Sequence, residues 1–153
     1  MRPPIIIART GKGKFIGETK DHEYHLYRKK FGCKKAVKLA KLYVCGMGAF
    51  ECWINGERVS DHVMEPGWTD FRRTCFYTAY DVTEYFAEGE NTENVILVKL
   101  GDCMFNVPGG RYVYFQRSYG KAKLLCQLEL VYEDGKREYV VTDESWKRAK
   151  KSD

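Results

Sequence analysis

Six cysteines (33, 45, 52, 75, 103 and 126) and three histidines (His22, His25 and His62) are the residue types here that could bind a metal or run thiol chemistry. Zinc and dithiol redox sites need ligands that converge on one point, which usually appears as C-x-x-C spacing or a local Cys/His cluster. No cysteine pair has that spacing, and the histidines do not cluster with the cysteines in sequence. Cys126 sits among alternating apolar positions, as a buried thiol would. The cysteines read as reduced core residues, which favours a reducing compartment. The apolar triplet Ile5, Ile6, Ile7 is far short of a signal-peptide core, so a cytoplasmic setting is expected.

Charge narrows the partners. The net charge of +5 is spread unevenly: residues 1–43 hold twelve Lys/Arg against three acidic residues, whereas residues 44–146 hold ten against seventeen. A basic N-terminal third could meet an acidic partner. No recognition-helix pattern or RNA-binding aromatic signature accompanies it, so a solvated face is expected and no nucleic-acid partner. No apolar run approaches the ~18 residues of a membrane-spanning helix, so no membrane partner is expected either.

The elements that must position any site are strands, because the hydrophobic period is two almost everywhere. In AKLLCQLELVYEDGKREYVVTD, Leu124, Cys126, Leu128, Leu130 and Tyr132 face one way, and Leu125, Gln127, Glu129 and Val131 the other. Asp134-Gly135 then predicts a tight hairpin, as Asn55-Gly56 does within FECWINGERV. EYHLYRKKF, TCFYTAYD, NVILVKLG and RYVYFQRS complete roughly eight to ten strands. KLAKLYVCGMGAF should be broken by its glycines between Tyr43 and Phe50. Helix is expected only weakly at Lys34–Ala40 and as one turn over Thr83–Ala87. An all-β antiparallel sandwich follows. Residues 1–22 read as a poorly structured segment or a leading strand, 23–147 as the sandwich, and 148–153 as a basic tail or linker.

Within EPGWTDFRRTCFYTAYDVTEYF, Pro66-Gly67 should bend the chain so that Trp68 and Phe71 drop onto the sandwich as a plug. Arg72 and Arg73 should open a strand. At its end Asp81 and Thr83 should accept backbone N–H groups, and Tyr85 and Phe86 should cover the core. Trp53 alternates within a strand and is expected in the core.

The succession YVCGMGAFECWINGERV, EPGWTDF, YTAYDVTEYFAEGENT, VKLGD and YEDGKREYVVTDESWK resembles the accessory, N-terminal β-sandwich domain of bacterial α-L-rhamnosidases over about residues 24–147. The resemblance implies a jelly-roll fold and a non-catalytic part of a glycoside hydrolase. It also implies that the catalytic α/α-barrel, with its acidic residues and inverting mechanism, lies elsewhere and is the partner of this domain. Twenty-one carboxylates are present, but sequence cannot show a pair at the ~6.5–9.5 Å of an inverting site.

Some relatives of such domains bind L-rhamnose with calcium, so the resemblance also raises a sugar site. VSDHVMEPGW would supply Asp61, His62 and Trp68, and GDCMFNVPGG would supply Asn106, with Asp102 and the carbonyls around Pro108. Gly101, Gly109 and Gly110 would let that backbone approach a ligand. Calcium requires several oxygen donors, of which Asp61 is a candidate, whereas the nitrogen of His62 counts against it. Asp61 reads first as a turn cap, Trp68 as a plug and Asn106 as a turn former. The expected function is scaffold with weak or no binding of L-rhamnose or rhamnosides, and no bound cofactor. The alternatives are a stand-alone lectin-like module and a basic interaction module.

Overall fold

The structure, a computed structural model, describes residues 12–17, 25–86, 92–107 and 119–150. The strand expected at RYVYFQRS and the carbonyls beside Pro108 lie outside these residues. Ten strands are present among the described residues: β1 Ile16–Gly17, β2 His25–Cys33, β3 Val37–Met47, β4 Ala49–Ile54, β5 Glu57–Arg58, β6 Thr78–Asp81, β7 Thr92–Gly101, β8 Lys123–Tyr132, β9 Arg137–Val141 and β10 Lys147–Lys150. They form two antiparallel sheets. One has the order β1-β8-β3-β6 with β9 also on β8, and the other β10-β2-β7-β4-β5.

The alternation read from β8 is the alternation observed. Leu124, Cys126, Leu128 and Leu130 are fully buried and Tyr132 nearly so, against Tyr27, Cys52, Ile54, Ile96, Val98 and Leu100 of the other sheet. Each large apolar side chain removed from water there contributes about 1.5–3 kcal/mol, enough to set strand register. Asn55 (φ 52°) and Gly56 (φ 90°) make the turn joining β4 to β5, and Gly135 (φ 79°) the turn joining β8 to β9.

Several expectations are corrected. Residues 37–40 are strand, since Val37–Met47 pairs with β8 along its length and Ala40, Leu42 and Val44 point inward. Cross-strand pairing outweighs the helix propensity of Lys, Leu and Ala. Gly46 does not break β3. Glycine is favoured there because an added Cβ would lie 2.9 Å from Phe50 and 3.1 Å from Leu100. The break expected between Tyr43 and Phe50 does occur, at Gly48, whose φ of 132° turns the chain against the Gly101 carbonyl. Arg72 and Arg73 belong to a turn around Asp70, which accepts Arg73 N–H and Thr74 N–H at its carbonyl (2.9 and 3.0 Å). The strand starts only at Thr78. Lys147–Lys150 pairs with β2, so the sheet continues past residue 147, where a tail was expected.

The corner after β6 is built as expected. Asp81 Oδ1 accepts the Thr83 N–H at 3.1 Å and the Thr83 hydroxyl at 2.7 Å. Thr83 Oγ1 in turn accepts the Ala40 N–H at 2.9 Å, a side chain standing in for a ladder carbonyl. A single 3-10 turn follows at Thr83–Tyr85, and Phe86 closes the core against Phe31 at 6.1 Å between ring centroids.

Candidate functional site

The two loops singled out from sequence meet at one end of the sandwich, and aromatic rings join them. Phe71, after the first loop, lies edge-on to Phe105 of the second, with centroids 5.0 Å apart and planes at 88°. Tyr119 completes the trio, 5.5 Å from Phe71 and 5.9 Å from Phe105. Such pairs favour edge-on or offset-stacked contacts because the ring edge is positive and its face negative. Phe71 is thus the plug, and Trp68 is not: it stands 62% exposed.

Glu65 holds the first loop. Its carbonyl accepts the Phe50 N–H at 2.7 Å, and one carboxylate oxygen lies 3.0 Å from His62 Nδ1. The other accepts the Tyr80 hydroxyl. Burial, then the bond to Glu65, raises the Tyr80 phenol well above its ordinary range, so it stays a donor. Arg58 bonds the His62 carbonyl at 3.1 Å while its guanidinium pairs with Glu51 at 2.6 Å. Anchored at its base, the loop presents Val63, Met64 and Trp68 to solvent. The bend expected at Pro66-Gly67 lies slightly earlier, at Met64 (φ 59°) and the cis Glu65–Pro66 peptide.

The predicted sugar residues stand in different surroundings. The Asp61 side chain is 99% exposed, with His62 Nε2 3.9 Å from its carboxylate. Asn106 is buried and donates from Nδ2 to Asp102 Oδ2 at 3.1 Å, so the loop already uses its amide. Among the described residues no three His, Cys, Asp or Glu side chains gather as a metal site would require.

A second feature escaped the sequence reading. Trp53, expected in the core, lies half-buried on the outer face of β4, because Cys52 and Ile54 occupy the inner face. With Arg28, Asn55, Thr92, Glu93 and Leu97 it lines an open groove of about 960 Å³. The same alternation that buried Cys52 could have placed Trp53 outside.

All six cysteines are free thiols, and four are buried. Burial pushes the Cys52 and Cys45 thiols up to about 12 and Cys33 to about 11. Cys126 rises further, chiefly through burial and then through Cys52 on the facing sheet. Such thiols are packing groups rather than nucleophiles.

The two-sheet fold is similar to that of known proteins. A curated α-L-rhamnosidase of Formosa agariphila is 33% identical over 127 residues, which cover 80% of this chain and 13% of that protein. The crystal structure of an α-L-rhamnosidase from Aspergillus terreus superposes with a TM-score of 0.78 at 28% identity, covering 91% of this chain and 17% of that one. The Streptomyces avermitilis α-L-rhamnosidase complexed with L-rhamnose gives 0.75 at 30% identity, covering 85% and 12%. This chain therefore spans only about an eighth of the length of the curated relatives it matches. The α-L-rhamnosidase N-terminal domain model matches residues 35–153, and the chain belongs to that family.

Proposed function

We propose that this domain acts as a scaffold within an α-L-rhamnosidase, docking on the catalytic part through the Glu65-anchored loop rather than holding sugar itself. The observation that carries this reading is the exposure of three large apolar side chains, Val63, Met64 and Trp68, on a loop fixed from beneath. Exposing apolar surface on a fixed loop costs free energy unless a partner covers it. The catalytic α/α-barrel of the parent enzyme is the partner of matching chemistry.

The test is a comparison of Trp68→Ala together with Met64→Ser in the isolated 153 residues and in the parent enzyme. The isolated domain should melt as before, while the parent should melt earlier and lose activity on an aryl α-L-rhamnoside. Equal melting of both parents, or turnover by the pure 153-residue chain, would refute the proposal.

A second reading, sugar recognition, draws on Trp68, which is exposed enough to serve as a platform. An L-rhamnose titration with and without calcium separates the two. Calcium-dependent chemical-shift changes at Asp61, Trp68 and Asn106 together would favour recognition over scaffold.

A further inference from the structure

Five residues form a straight row across the outer face of the β10-β2-β7-β4-β5 sheet. Arg58 stands opposite Trp53, Trp53 opposite Leu97, Leu97 opposite Arg28, and Arg28 opposite Lys147. Directly opposed residues of an antiparallel pair share a face, with Cβ atoms about 4.5–5.5 Å apart. The row therefore runs from an aromatic ring, through an apolar side chain, to two adjacent cations.

Those cations form no direct ion pair within the face. Its two carboxylates are engaged elsewhere: Glu51 pairs with Arg58 at 2.6 Å and Lys99 at 3.6 Å, and Glu93 pairs with Lys30. Arg28 lowers the Glu93 carboxyl, though less than the Lys30 hydrogen bond does. Among the described residues neither the Arg28 nor the Lys147 side chain has an ion pair or hydrogen bond. Like charges directly opposite each other destabilise a sheet. Placing two in one row with a half-buried tryptophan, Leu97 between, makes a groove where an anion would be stabilised at one end and a flat apolar face could stack at the other.

We propose that the groove over Trp53, Leu97 and Arg28 binds a carboxylate-bearing saccharide, a uronate whose ring lies on Trp53 and whose carboxylate meets Arg28. Arg28 presents a planar fork that fits a carboxylate through two N–H groups, and Lys147 adds a second charge. The groove volume of about 960 Å³ suits a ligand of a few sugar rings. A saccharide fits better than an acidic peptide because β7 already pairs with β2 and β4 beneath the groove. An extended peptide could add no backbone ladder there, so recognition must come from side chains. The groove lies at the Thr92 half of β7, whereas the anchored loop lies at the Leu100–Gly101 end. The proposal is thus independent of the scaffold reading.

The experiment titrates the 153-residue chain with trigalacturonate and with its methyl ester, followed by calorimetry and by the indole N–H resonance of Trp53. The acid should bind about tenfold more tightly than the ester, as expected for one charged hydrogen-bonded contact. Arg28→Gln should lose about the same factor, and Lys147→Gln a smaller one. Arg28→Gln should melt no lower than the parent chain, since it removes a like-charge opposition and no internal bond. Trp53→Phe, which keeps a ring on that face, should retain part of the affinity. Equal affinity for acid and ester, no binding at millimolar acid in low salt, or full affinity in Arg28→Gln would overturn the proposal. So would tighter binding of hexaglutamate than of trigalacturonate, which would reassign the groove to a protein partner.

Discussion

Asn55 donates from Nδ2 to Asn94 Oδ1 at 2.9 Å, tying the turn between β4 and β5 to a buried amide on β7. Both amides are used fully. Asn55 also donates to the Tyr85 carbonyl at 2.9 Å and accepts the Val95 N–H at 2.9 Å, while Asn94 donates to the Thr92 carbonyl at 3.2 Å. The turn that sequence marks as a hairpin is also a clamp between two parts of one sheet and the corner at Tyr85.

Asn94→Ala should therefore destabilise the domain by about 2–3 kcal/mol, because it removes a buried amide together with its bonds to Asn55, Cys33 and the Thr92 carbonyl. Asn55→Gly, which keeps the left-handed turn accessible, should cost a similar amount through hydrogen bonds alone. The double variant should cost less than the sum, since the two share a bond. Urea denaturation of the four chains reads this directly, and strict additivity would remove the clamp.

Gly48→Ala should be the most damaging glycine substitution in the described structure. Its Cβ would lie 2.1 Å from the Gly101 carbonyl oxygen, a backbone atom that cannot rotate away, at a φ of 132°. Strain and overpacking together predict a loss of about 3 kcal/mol or more. Gly135→Ala is the control. It has φ 79° but nothing within 4 Å of the added carbon, so about 1–2 kcal/mol is expected. Thermal melts of the pair should differ clearly, and equal melts would contradict the geometry.

Thiol labelling should report the sandwich. Cys103 is exposed and Cys75 half-buried, while Cys33, Cys45, Cys52 and Cys126 are buried. At pH 8, one thiol should react quickly with an aromatic disulfide reagent, a second slowly, and four only on unfolding. Rapid labelling of more than two in the native protein would mean that the sheets separate.

Stability should also fall at high pH. The buried thiols bind their protons more tightly when folded, at about 11 for Cys33 and about 12 for Cys45 and Cys52, against 9.0 for an ordinary thiol. A raised folded-state value means that the stabilisation is complete below the unfolded pKa and is lost as pH climbs through the folded one. The denaturation midpoint should decline steadily from about pH 9 upward. At the other limit, Asp81 and Asp143 are held below the ordinary carboxylate range, by hydrogen bonds first from Thr83 and Ser145 respectively. Their smaller contribution is present above the ordinary value and fades as pH falls through the lowered one. Flat stability from pH 8 to 11 would contradict the buried-thiol assignment.

What the sequence determined by itself was the class of structure and its kinship. Alternation in β8 announces which side chains are buried, because a strand sends successive residues to opposite faces. Asn55-Gly56 and Asp134-Gly135 mark hairpins because few other pairs reach the required backbone angles, and Asp81 with Thr83 marks a corner because both carry local acceptors. These signals span a few residues each, so they survive without knowledge of neighbours.

The surface chemistry was decided only by tertiary structure. That Phe71 rather than Trp68 becomes the plug depends on Phe105 and Tyr119, distant in sequence, converging on one side of the loop. That Arg28 stands opposite Lys147 and beside Leu97 depends on the register of β10, β2 and β7. Asn106 turned inward because Asp102 offered its amide a partner. Composition and spacing state what each segment can do alone. Which groups meet is set by the pairing of strands far apart along the chain, where a shift of one residue would exchange every outward side chain for an inward one.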